Sequence, residues 1–192
     1  MKHSKLISLN FMALCCILGL FTKKLINPFA NVITEMLHIP GGISTGFSIM
    51  FLVIAVEVVR EKHCGTLMAA AQGFLALALG RVGSMGILMP IGYIVPGMAI
   101  DLVFFLGKYI SLTRRERMVF SNALAAFMAS FVANGLVFHL RGPVLWLYLG
   151  VSALSGTCYG LLGEVIVRRL EPVFRTSGFG YVKGEQGYYE VM

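Results

Sequence analysis

A chain of 192 residues with 57% hydrophobic and only 13% charged side chains is too apolar for an ordinary soluble domain, where about 25% are charged. Its net charge of +7 would suit nucleic acid, but the basic residues stand at the ends of long apolar segments, which excludes that use. The remaining reading is an all-α integral membrane protein, because a helix needs roughly 20 mostly apolar residues to cross a bilayer.

Six apolar segments meet that length, at about 6–24, 43–60, 64–80, 87–110, 117–139 and 144–168. Short connections leave one six-helix transmembrane domain over 1–170, with a Gly/Tyr-rich tail over 171–192. With the amino terminus inside, the inner side carries 12 of the 16 basic residues and the outer side only Lys23, Lys24, Arg81 and Arg141. Positive charge held to one side orients both termini to the cytosol. The first segment has a basic start like a secretion signal, but no small-residue cleavage site follows, so it is expected to stay as a helix.

Helix one places Ser8, Met12, Cys15 and Gly19 on one stripe. The connection that follows, 27–42, is the long one. Asn27-Pro28 opens it, Pro40-Gly41-Gly42 closes it, and its apolar residues recur at helical spacing. It reads either as an interfacial linker or as a lid over an outward cavity, with Glu35 and His38 as polar contacts.

Helices three and four are joined by Arg81-Val82-Gly83-Ser84-Met85-Gly86, a pliable turn with one charge. Helix four begins with Pro90, Gly92, Pro96 and Gly97 close together, which predicts a kink or a break. Broken backbone in a membrane needs other protein or a water-filled cavity around it. Asp101 is the deepest charge, about 21 Å along this helix. It is either a functional group or a carboxyl bonded to Gln72 or to a backbone amide. Glu57 and Glu164 fall near the inner face, within reach of Arg60 and Arg168.

Asn134 and His139 end helix five, Arg141 follows, and Trp146 and Tyr148 open helix six. Aromatic residues at that depth serve either as headgroup anchors or, with Arg81 and Arg141, as a polar-aromatic ligand site. Arginine forks suit carboxylate or phosphate, and aromatic rings stack on a heterocycle. On helix six, Ser152, Gly156 and Gly160 form a small-xxx-small ladder for close helix contact, inside the chain or with a partner.

Cys15, Cys16, Cys64 and Cys158 lie in or beside apolar segments without CxxC spacing, so they read as packing residues and no metal site is expected. No HExxH, GxSxG or P-loop pattern occurs, so neither catalysis nor ATP hydrolysis is assigned to the chain and no cofactor is implied.

Together these features resemble the S-component, the substrate-binding membrane subunit, of energy-coupling-factor (ECF) vitamin transporters. The likeness is greatest to the thiamine-type branch. It rests most on Lys62 to Tyr109, where a basic turn leads to Leu79-Gly80, a Gly-rich loop, and Gly97-xxx-Asp101-xxx-Phe105. The resemblance implies capture of a vitamin or precursor at the outer face of a bacterial or archaeal inner membrane, under the first outer loop as lid. It implies delivery inward with a T-component and two cytosolic ATPases. The binding residues implied are Glu35, His38, Gln72, Arg81, Tyr93, Asn134, His139, Arg141, Trp146 and Tyr148, and the docking residues Ser8, Cys15 and Gly19. Two departures stand out. The family's Ala-xxx-Ala docking pair is absent, and helix three lacks the carboxylate that suits a cationic ligand. The alternative is a small membrane enzyme acting on a lipid or isoprenoid head group.

Overall fold

In the computed structural model, which describes residues 2–37, 43–80, 86 and 88–176, the chain is six helices in sequence. They are α1 (Lys2–Leu37), α2 (Ile43–Val59), α3 (Cys64–Ala78), α4 (Met89–Tyr109), α5 (Arg114–Ser130) and α6 (Pro143–Thr176). A π-helical segment, Phe131–Val137, extends α5. The helices alternate in direction. One end of the bundle, the basic end, therefore gathers the start of α1, the α2–α3 and α4–α5 turns, and the end of α6.

The widest differences from the bounds read in the sequence are at the ends of α1 and α6. α1 continues through Asn27 and Pro28 to Leu37, so residues 27–37 of the expected outer connection prolong the first helix. An internal proline removes one hydrogen bond and does not have to end a helix whose surface stays open. With 36 residues, α1 is ~54 Å long, well beyond the ~30 Å of a bilayer core. α6 likewise runs to Thr176, so the first residues of the expected tail are helical. The rest of that tail, 177–192, lies outside the described residues.

α4 is continuous rather than broken. Pro90 sits in its first turn, where the missing N–H would have had no helical partner. Only Pro96 lies in the interior, and it is buried. The glycine beside it has a packing reason: a Cβ on Gly97 would come within 2.5 Å of the Ala69 Cβ and 2.7 Å of the Gly65 carbonyl oxygen. Gly73, two turns along from Gly65, faces Pro90 and Tyr93 in the same way. Gly65, Ala69 and Gly73 thus form a ladder that seats α3 closely on α4.

The ladder on α6 is also internal. A Cβ on Gly156 would stand 2.8 Å from both the Ala123 Cα and the Asn122 carbonyl oxygen, and one on Gly160 2.7 Å from the Val119 Cα. α2 is the central helix, in contact with α1, α5 and α6. Residues 52–58 of it are buried without a break, as an all-round apolar helix requires. Around this core the outward side chains are apolar too: Leu67, Phe74, Met98, Leu102, Phe120 and Leu154 are all more than half exposed. A surface of that kind matches hydrocarbon rather than water. Met89–Tyr109, Arg114–Val137 and Pro143–Val173 are each long and apolar enough to cross a membrane, and α2, α3 and Leu6–Thr22 of α1 are shorter apolar helices.

Candidate functional site

Charge organises the basic end. Glu57, fully buried, accepts from Arg60 Nη2 at 2.6 Å and from Arg117 Nη2 at 3.3 Å and 3.4 Å. Arg117 also donates to the Leu112 carbonyl at 3.2 Å, so one guanidinium ties the α4–α5 turn to the end of α2. Arg114 pairs with Glu171 at 3.0 Å, joining α5 to α6. The Glu57–Arg60 pair was legible in the sequence. Arg117 was not, because 60 residues separate it from Glu57. Glu164 does not pair with Arg168 among the described residues.

Asp101 belongs to this framework. Its carboxylate accepts from the Gly65 amide at 2.9 Å, the Thr66 amide at 2.8 Å and the Thr66 hydroxyl at 2.6 Å. The residue preceding α3, His63, lies in the left-handed region and offers no side-chain cap. Asp101 therefore supplies from α4 the N-terminal cap that α3 lacks locally, and its charge meets the positive end of that helix. Asp101 thus bonds to backbone amides rather than to Gln72. Gln72 is spent elsewhere: it is buried and donates to the Cys16 carbonyl at 3.1 Å, joining α3 to α1. Gly19 leaves room for it, since a Cβ there would come within 2.6 Å of Gln72 Nε2. Cys15 and Gly19 are buried in this seam and Ser8 is half-buried, so the expected docking stripe turns two of its residues into the bundle.

At the opposite end, the π-helical segment touches α4, α5 and α6. Such segments arise where one extra residue is fitted into a helix, and they recur at functional positions. Here the segment carries Asn134, half-buried, whose amide donates to the Ser130 carbonyl at 3.1 Å and to its hydroxyl at 3.0 Å. Ser130 in turn donates to the Tyr148 carbonyl at 3.4 Å. With both its donors turned back on Ser130, Asn134 keeps an amide oxygen to offer. Tyr93, half-buried, comes from the start of α4 at the same end. Of the expected site, Asn134 and Tyr148 are brought together, through Ser130, while Tyr93 faces Gly73 of α3. Ser130 was missed in the sequence, although its spacing of four from Asn134 was a usable signal.

The remaining expected residues are disposed differently. His139 and Arg141 lie in the turn before α6, exposed, with His139 at a φ of 52°. Trp146 is 69% exposed, as an anchor in the headgroup layer would be. Glu35 rides on the last turns of α1. His38 and Arg81 lie outside the described residues. A separate open groove of about 380 Å³, lined by Val103, Phe120, Ala123, Leu124, Phe127 and Ala153, is apolar throughout. Its lining suits a lipid chain and offers a polar solute nothing. Among the described residues no cluster of His, Cys, Asp and Glu could hold a metal ion.

No protein-family model matches the chain, and no curated protein does. Among solved structures, the crystal structure of an S-component of an ECF transporter superposes on it with a TM-score of 0.66. That match covers 94% of this chain and 90% of the other, at 19% sequence identity. The all-helical architecture is therefore that of an ECF S-component.

Proposed function

We propose that this chain is the substrate-capture subunit of an ECF-type importer. The observation that carries the reading is the extent of the fold likeness, which takes in 94% of this chain and 90% of the other. The lipid-compatible surface and the polar groups gathered at the end away from the basic residues support it.

In this reading the basic end faces the cytosol and the α5–π–α6 end faces outward. A small vitamin-like solute binds there against Asn134, Tyr93 and Tyr148. Glu35 and His38 of the connection 27–42 are assigned to a lid, and Arg81, His139 and Arg141 to contacts with the solute. Two arginines, and no carboxylate on helix three, favour a solute with an anionic or carbonyl-rich end over a cationic one such as thiamine. Import then requires a T-component and two cytosolic ATPases, since no nucleotide-binding motif is present in this sequence.

The test is native mass spectrometry of the protein extracted gently from its own membranes, followed by denaturation and identification of what is released. A vitamin-like compound of a few hundred daltons at one per chain is the expected result. A chain carrying lipid alone, and gaining no mass from a panel of vitamins and precursors, would remove the proposal.

A further inference from the structure

The crossing of α2, α5 and α6 holds two polar atoms that no neighbour satisfies. Asn122 is fully buried, and its Nδ2 donates to the Gly46 carbonyl at 3.2 Å and the Gly156 carbonyl at 2.7 Å. Because both neighbours are acceptors, the amide can face only one way, and its oxygen is turned to a side with no donor. Asn122 Oδ1 and Ser152 Oγ are the buried side-chain atoms without a partner among the described residues. Ser152 is also fully buried. A helical serine ordinarily relieves itself on the carbonyl four residues back. Here that carbonyl, of Tyr148, already accepts from Ser130.

The register of α5 on α6 places the two residues about one turn apart along the same seam. Gly156 lies against Asn122, Ala123 and Ala126, while Ser130 reaches Tyr148. Ser152 stands midway between Gly156 and Tyr148 and so faces Ala126, one turn from Asn122. One turn is about 5.4 Å. Two hydrogen bonds of about 2.8 Å through a shared oxygen cover that distance. The lining at this point is small, with Gly46, Ala125, Ala126 and Gly156 all buried.

We infer that Asn122 and Ser152 form a buried binding site for one hydroxyl group, which donates to Asn122 Oδ1 and accepts from the Ser152 hydroxyl. An O–H of water or of an alcohol meets both demands at this size; a carboxylate would face Oδ1 with charge, and a cation would find two neutral oxygens and no counter-charge. The site lies deeper than the Asn134–Tyr148 group, on the same α5–α6 seam. Its existence does not depend on the transport reading. One of its two sources does, since the hydroxyl belongs either to a water that stays with the fold or to a solute reaching down the seam.

Ser152→Ala separates these cases, with Ser155→Ala as the control on the same helix, since the Ser155 hydroxyl is satisfied locally by the Ser152 carbonyl at 2.9 Å. Thermal melting is measured on protein as extracted from its membranes and again after exhaustive dialysis in detergent. If a hydroxyl is held, Ser152→Ala removes a working bond and lowers the melting temperature by ~3 °C or more, beyond the control. A loss in both preparations assigns the hydroxyl to water. A loss confined to the undialysed protein assigns it to a retained solute. A melting temperature unchanged or raised in both preparations, as expected when an unsatisfied buried hydroxyl is simply deleted, overturns the inference.

Discussion

Asp101→Ala tests whether the deepest charge serves the fold or the solute. The substitution leaves the Gly65 and Thr66 amides and the Thr66 hydroxyl without their acceptor. A hydrogen bond to a charged group contributes ~1.5–3 kcal/mol when buried, and an N-cap taken alone ~1 kcal/mol. Asp101 is half-buried, so water or headgroups partly replace it. Alanine also returns about 0.5 kcal/mol of helix propensity within α4. The net loss worked from these terms is ~2–3 kcal/mol, or roughly 5–10 °C in melting temperature for a chain of this size. Asp101→Asn keeps one acceptor oxygen and should lose about half as much. Gly65→Ala gives an independent check, because its Cβ would come within 2.8 Å of Asp101 Oδ1 and push the carboxylate off its donors. Melting is followed in detergent by intrinsic fluorescence, with solute retained per chain measured on the same samples. An unchanged melting temperature with loss of retained solute would refute the capping argument and make Asp101 a ligand contact.

Other substitutions probe the remaining links. Glu57→Gln unmakes a buried carboxylate held by two guanidinium groups. Breaking such a pair costs ~3–5 kcal/mol, toward the lower value here because Arg60 and Arg117 keep side-chain exposures of 20% and 17%. A melting temperature within ~1 °C of wild type would show the clasp to be dispensable. Gly156→Ala drives a Cβ into backbone atoms of α5 and should destabilise by ~1–3 kcal/mol, whereas Gly150→Ala on the same helix meets nothing within 4 Å and should gain ~0.5–1 kcal/mol. Equal melting temperatures for the two would contradict the packing of that ladder. Asn134→Ala should weaken solute binding by ~1–3 kcal/mol with a small effect on folding, since its bonds are local to Ser130. Unchanged affinity in titration calorimetry with the released compound would remove Asn134 from the site.

The helices were legible because a bilayer demands long apolar runs; six such runs became six helices, three of them long and apolar enough to cross and three with shorter apolar stretches. Their ends were less so. Asn27-Pro28 looks like a boundary, yet α1 passes through it, since a proline weakens a helix by one bond and neighbouring turns can carry the loss. The proline and glycine run of α4 left a packing kink and a break both open, for a related reason. Sequence shows that Gly97 lacks a side chain but not that Ala69 and Gly65 press against it from α3. Close packing and a broken helix use the same residues, and only the partner's position separates them. The residues proposed for the outer site could be read from sequence as types but not as an arrangement. Trp146 and Tyr148 are two apart, so a helix turns them to different sides. One is left 69% exposed while the other is half-buried and offers its carbonyl to Ser130.

The long-range polar links divide the molecule unequally, and that division bears on how a capture site could work. Every ion pair among the described residues is at the basic end, where Glu57, Arg60 and Arg117 lock α2 to α5 and Arg114 holds Glu171. Asp101 fastens α3 to α4 from the same side. At the other end the chain is held by local bonds of Asn134 and Ser130, by a π-helical segment, and by turns with Gly80, Gly86 and Gly142 at positive φ. Segments with few cross-helix bonds open at lower free energy than a clasped core. Motion that admits a solute would therefore be confined to the end where the polar groups lie, with the basic end keeping the helices in register. Were the clasp at the other end, the same fold would hold shut the end where the proposed solute site lies and loosen the basic end.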